Sequence, residues 1–179
     1  MGGFLALSRG IDRVNLAIGH VVSWLILVTV LISAGNAIVR KLLSTSSNAW
    51  LEVQWYLFGA IVLLGASATL IRNEHVRVDV IYGAISDRAR LWVDLFGLIF
   101  FLLPFVAFSA WLCWPIFVQS FKSGEMSSNA GGLIRWPIKL VLFAGFAALT
   151  AQGISELIKR IAALMGLITY ETKYTKPLQ

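Results

Sequence analysis

Charge, histidine and cysteine are all scarce in this chain of 179 residues. Only 13% of its residues are Asp, Glu, Lys or Arg, about half the share of an average soluble domain. The one cysteine, Cys113, excludes an internal disulfide and a cysteine metal cluster; lying in an apolar run, it reads as a small buried hydrophobe. Two histidines, His20 and His75, cannot form a facing pair of haem ligands in a bilayer, because His75 sits in a charged segment. No Gly-rich phosphate loop and no Ser/His/Asp set of workable geometry is visible. The chain is therefore not read as an enzyme, and no cofactor, catalytic, metal or substrate-binding residue is assigned.

Hydrophobic residues are abundant instead, at 58% of the chain. They fall into four runs, at about 14–39, 50–71, 91–121 and 137–160. The second is the clearest: no charge interrupts the 19 positions from Val53 to Ile71. That is about 28 Å of helix, close to the ~30 Å hydrocarbon core of a bilayer. Trp50, Trp55 and Tyr56 form an aromatic collar at its start. Four spans with short connections leave no room for a soluble catalytic or nucleic-acid-binding domain. The expected fold is an all-α integral membrane protein, one four-span domain over residues 1–179. The first run is too long for a signal-peptide core and is followed by Arg40 and Lys41, so it reads as a retained span, with residues 1–13 a short interfacial lead-in.

The net charge of +6 is distributed as collars at span ends, which argues against nucleic acid as a partner. With the N-terminus inside, ten of the 15 basic residues fall on the inner side and five on the outer. Both termini are therefore expected in the cytoplasm.

The second span ends in a dense cluster, Arg72, Glu74, His75, Arg77 and Asp79. Without a pocket or metal-like spacing, it reads as an interfacial ion-pair network or a partner contact. Residues 77–84 alternate like a strand, but a lone strand at a membrane surface leaves its backbone unpaired. A short amphipathic interfacial helix between spans two and three is expected. Val78, Tyr82, Ile85, Ala89, Trp92 and Phe96 form its apolar stripe, and Asp79, Gly83, Ser86, Arg90 and Asp94 lie opposite. Ser86 and Asp87 resemble an N-cap and first-turn acid. A helix from Asp87 to Phe121 would be about 52 Å long, and Pro104 and Pro115 favour kinks in it. The segment Lys122–Gly132 reads as the most flexible loop. In the fourth span Ala144, Ala148, Ala151 and Ser155 make a small-residue stripe suited to close helix packing, and Glu156 and Arg160 an i,i+4 pair.

A transporter acting alone usually carries ionisable or broken-helix features at mid-membrane. Here Glu52 lies at the outer end of its span, Asp94 and Glu156 near inner ends, and His20 about two turns into the first span. These read as groups that hold helices together or meet headgroups. A self-contained small transporter and a membrane anchor of a redox complex remain as alternatives; the absent mid-span acid and absent His pair weigh against them.

The order of several short motifs adds to this. Trp50-Leu51-Glu52 opens the second span, Leu64-Gly65-Ala66 lies within it, and Arg72 with His75-Val76-Arg77-Val78-Asp79-Val80 follows. Trp136-Pro137-Ile138-Lys139 and Gln152-Gly153-Ile154-Ser155-Glu156-Leu157-Ile158 close the chain. In this arrangement the sequence resembles the small, DctQ-like membrane subunit of tripartite ATP-independent periplasmic (TRAP) transporters. The resemblance implies a multi-pass protein of the bacterial inner membrane. It implies two protein partners besides membrane lipids: a large membrane subunit that moves solute with a sodium gradient, and a periplasmic substrate-binding protein that captures an organic acid or similar small solute. It implies a scaffold and docking role for this chain, with the small-residue faces and the long third helix packing on the large subunit and the outer loops Leu42–Ala49 and Lys122–Gly132 bordering the docking surface for the binding protein.

Overall fold

The computed structural model describes residues 2–45, 47–73 and 85–169. Four helices, each long and apolar enough to cross a membrane, run Gly2–Leu43 (α1), Asn48–Arg72 (α2), Asp87–Ser123 (α3) and Trp136–Leu164 (α4). Among the described residues there is no strand, only an isolated bridge between Met126 and Ile134.

The helices alternate in direction. α1 and α3 start where α2 and α4 finish, which defines a termini end of the bundle; α1–α2 and α3–α4 turn at the opposite loop end. α4 is the hub. It packs against α1, α2 and α3, whereas α3 packs mainly on α4. Glycines permit the closest approaches. A Cβ on Gly145 of α4 would lie 2.7 Å from the Leu63 Cβ of α2, and one on Gly19 of α1 2.7 Å from the Ala68 Cβ of α2. The α3–α4 seam is aromatic instead: Phe105–Phe146, Trp114–Phe143 and Phe121–Trp136 have ring centroids 5.0–6.3 Å apart.

Several local expectations are met. Ser86 caps α3, its Oγ accepting from the Ala89 N–H, and Asp87 occupies the first turn. α3 runs 37 residues, about 56 Å if straight, through both prolines. At Pro104 the helix adapts by a π turn over Leu98–Leu102, widening where the ring removes a donor and crowds the preceding carbonyl. Pro115 is carried inside the continuous α segment Leu103–Ser123.

Three expectations are corrected. Residues 2–13 are not a separate lead-in but the first turns of α1, whose 42 residues span about 63 Å. Ser8, Asp12 and Asn15 recur at helical spacing there and dock on α4, which gives those turns a partner. The segment after α3 is not a loose loop but a bonded hairpin. The Ser127 N–H donates to the Leu133 carbonyl (2.9 Å) and the Arg135 N–H to the Glu125 carbonyl (2.8 Å). Gly124 and Gly131 supply the positive φ angles (59° and 68°) that its turns require. Asp94, placed by the sequence opposite the apolar stripe, turns inward to Arg160 while Trp92 and Phe96 face outward. The rest of the expected interfacial helix, residues 77–84, lies outside the described residues.

Candidate functional site

Polar chemistry in this bundle concentrates at its two ends. At the loop end, Glu52 stands one turn into α2 and is 3% exposed. Its carboxylate is fully engaged by the α3–α4 hairpin. One oxygen accepts from the Ser127 hydroxyl and from the Asn129 amide (2.8 Å), the other from the Leu133 N–H (2.7 Å). A Cβ at Gly132 would sit 2.9 Å from Glu52 Oε1, so the hairpin needs glycine there to close over the carboxylate. Asn48 donates to the Ala130 carbonyl (2.9 Å) and the Tyr56 hydroxyl to the Ile134 carbonyl (3.2 Å). On the hairpin itself, Glu125 pairs with Lys139 and, at 3.6 Å, with Arg135. The Lys139 ammonium, bonded to the Glu125 carboxylate, holds its pKa below the ordinary carboxylate value, and the Arg135 charge adds to this.

At the termini end a second network joins α1, α3 and α4. Gln152, fully buried, accepts from the Asn15 amide (2.8 Å) and donates to Asp12 (2.8 Å) and Glu156 (3.2 Å). Ser155 donates to Asp12 (2.7 Å) and shares a 2.7 Å hydroxyl contact with Ser8. Lys159 bridges Asp12 (3.0 Å) and Glu156. Arg160 joins Glu156 to Asp94 (3.3 Å) of α3. Charges buried this way are held by mutual pairing and hydrogen bonds, which offset their desolvation only when nearly every partner is in place. Among the described residues no group of three or more His, Cys, Asp or Glu could hold a metal ion.

A comparison with family models matches residues 29–163, well over half of the chain, to "Tripartite ATP-independent periplasmic transporters, DctQ component". The chain belongs to the DctQ family. No curated protein and no solved structure gives a match. The DctQ family is a transporter-component family and not an enzyme family, so this chain is the small membrane component of a TRAP transporter.

Within this DctQ chain the residues singled out by sequence separate clearly. Glu52 is a buried anchor. Arg72 is exposed at the end of α2 and lines a shallow α1–α2 groove with Gly19, Val22 and Thr69. His75, Arg77 and Asp79 lie outside the described residues. Ser155 has no exposed surface and is committed to Ser8 and Asp12 within the chain. The Ala148 carbonyl accepts a long 3.5 Å bond from Asn15, so this side of the stripe faces α1; Ala144 and Ala151 are half-buried. His20 is exposed, with Nδ1 on the Leu16 carbonyl of its own helix (2.8 Å).

The network residues to which sequence reading gave no site role are Ser8, Asp12, Asn15, Gln152 and Lys159, Gln152 having entered only as part of a motif. Their signal was a polar stripe on each of two otherwise apolar helices: Ser8, Asp12 and Asn15 at steps of four and three, and Gln152, Ser155 and Lys159 at steps of three and four. Ser8, Asp12 and Asn15 precede the family match, which starts at residue 29, whereas their partners on α4 lie inside it.

Proposed function

We propose that this DctQ chain is the fixed scaffold subunit of its transporter, packing on the large transport subunit and helping to form the docking face for a periplasmic substrate-binding protein. One observation carries the reading. An internal polar network braces each end of the bundle, around Glu52 and around Gln152, while wide apolar faces of α1 and α3 point outward. Such a bundle is braced rather than built to rock around a solute, and its outward faces suit lipid and a membrane partner.

The two outward faces differ in chemistry. α1 exposes mainly aliphatic side chains, such as Val14, Val21, Leu31 and Ile38. α3 exposes Phe101, Phe108, Trp111 and Leu112. Aromatic side chains are enriched where proteins meet, so the α3 face is the proposed seat of the large subunit. The excess of basic residues at the termini end supports a cytoplasmic placement of that end in a bacterial inner membrane. The Glu52-anchored hairpin and the α1–α2 turn then stand on the periplasmic side, where a binding protein docks. Transport by the assembled complex would be sodium-coupled uptake of an organic acid or similar small solute, with substrate choice residing in the partners.

The test is co-purification of the large subunit with tagged chain in mild detergent. Phe108→Ala combined with Trp111→Ala should reduce the recovered large subunit severalfold, with helical content unchanged by circular dichroism. The paired control Val21→Ala with Leu31→Ala should leave recovery unchanged. Equal recovery from both pairs would refute the assignment of the α3 face.

A further inference from the structure

At the loop end, α1 and the first turn of α2 part around a groove of about 370 Å³ lined by Leu31, Ile32, Gly35, Asn36, Val39 and Trp50. That volume falls within the ~300–1,000 Å³ range of small-ligand sites. Its floor is open: a Cβ on Gly35 would meet no atom within 4 Å. The walls are apolar apart from Asn36, which is half-buried. Among the described residues the Asn36 amide makes no hydrogen bond, and its polar atoms are accessible, which leaves a donor free toward the groove. Arg40 follows Asn36 by four residues, hence one turn nearer the helix end on the same side of α1, whereas Lys41 leaves the helix on another side. Both cations are exposed, and neither has an ion-pair partner among the described residues. Trp50 adds an indole N–H, a donor only, at the rim.

An apolar slot, then neutral donors, then cations is the polarity gradient of one phospholipid read from acyl chain through ester carbonyls to phosphate. We infer that this groove binds an anionic phospholipid. The acyl chain lies over Gly35 between Leu31, Ile32, Val39 and Trp50. Asn36 donates to an ester carbonyl, and Arg40, one turn further along the same side, holds the headgroup phosphate. A partner helix fits the slot less well, since a helix is about 10–12 Å across and a groove of this size admits only a few of its side chains. The inference stands apart from the scaffold reading, because it concerns the chain by itself.

The test is native mass spectrometry of the full-length chain, purified in detergent and equilibrated with equal amounts of phosphatidylglycerol and phosphatidylcholine. The expected result is one retained phospholipid, with phosphatidylglycerol in excess. Gly35→Leu fills the open floor and should abolish retention; Val39→Trp, entering from the wall, should do the same. Arg40→Gln should keep the lipid but lose about fivefold of the preference for phosphatidylglycerol. An unfilled wild-type chain, retention unchanged in both filling variants, or a preference indifferent to Arg40→Gln would each overturn the proposal. So would a groove that excludes lipid and is protected from a cysteine-directed label at Gly35→Cys only when the large subunit is bound, since the occupant would then be a helix of that subunit.

Discussion

Gln152 shows how tightly single residues are constrained here. Its one amide satisfies Asn15, Asp12 and Glu156 at once, with no exposed surface. Gln152→Leu removes all three bonds and leaves those polar groups in an apolar setting, at a cost on the order of 3 kcal/mol. A clear drop in thermal midpoint in detergent should report it, and a midpoint equal to wild type would show that the network is dispensable. Glu125 gives a pH dependence of known sign. Its folded-state pKa is depressed, chiefly by the Lys139 bond, so its stabilising contribution is fully present above the ordinary carboxylate pKa and is lost as pH falls through the lower folded value. A spin label on Ser128→Cys should therefore gain mobility below the ordinary carboxylate range, and Glu125→Gln should show that mobility already at pH 7. Mobility independent of both would remove Glu125 from the anchoring of the hairpin. The Glu156–Arg160 pair was legible because both residues lie one turn apart on one helix. Glu52 was legible as a polar group at a span end, but not its partners, because Ser127, Asn129 and Leu133 lie 75–81 residues away and meet it only when α3 and α4 have packed.

Helix pairs in this bundle separate glycines that are needed from glycines that are not. At Gly145 an added Cβ meets the Leu63 Cβ and, at 3.0 Å, its backbone carbonyl, neither of which can yield without moving α2. At Gly153 it meets the Cδ2 atoms of Leu102 and Leu103, the far ends of flexible side chains. Gly35 faces open space. Gly145→Ala should therefore cost about 1–3 kcal/mol, Gly153→Ala less, and Gly35→Ala nothing measurable. Thermal midpoints of the three variants in one detergent check the order, and a different ranking would mean that α2 and α4 do not pack at this distance. Hydrophobic run length read four helices correctly, and Ser86-Asp87 fixed the start of α3, because run length and capping are local signals. The first turns of α1 and the α3–α4 hairpin were misread because short-range polarity looks alike in a loose segment and in one held by distant side chains. The outcome at Pro104, a π turn, and at Pro115, uninterrupted helix, likewise depends on packing against α4 and not on the prolines alone.

For the molecule as a whole, family membership and architecture converge on the small, four-helix membrane component of a TRAP transporter. Motif order pointed to the DctQ family, which the family match over residues 29–163 bears out. The candidate sites were less legible, since on the proposed scaffold reading the working residues are contacts, and contacts belong to partners as much as to the chain. The central claim is the division of labour between a braced small subunit and a moving large one. Solute uptake into proteoliposomes under a sodium gradient tests it most directly, with this chain, the large subunit and the soluble binding protein each omitted in turn. The scaffold account expects uptake from the full set and none from this chain alone. Uptake by this chain alone would contradict it.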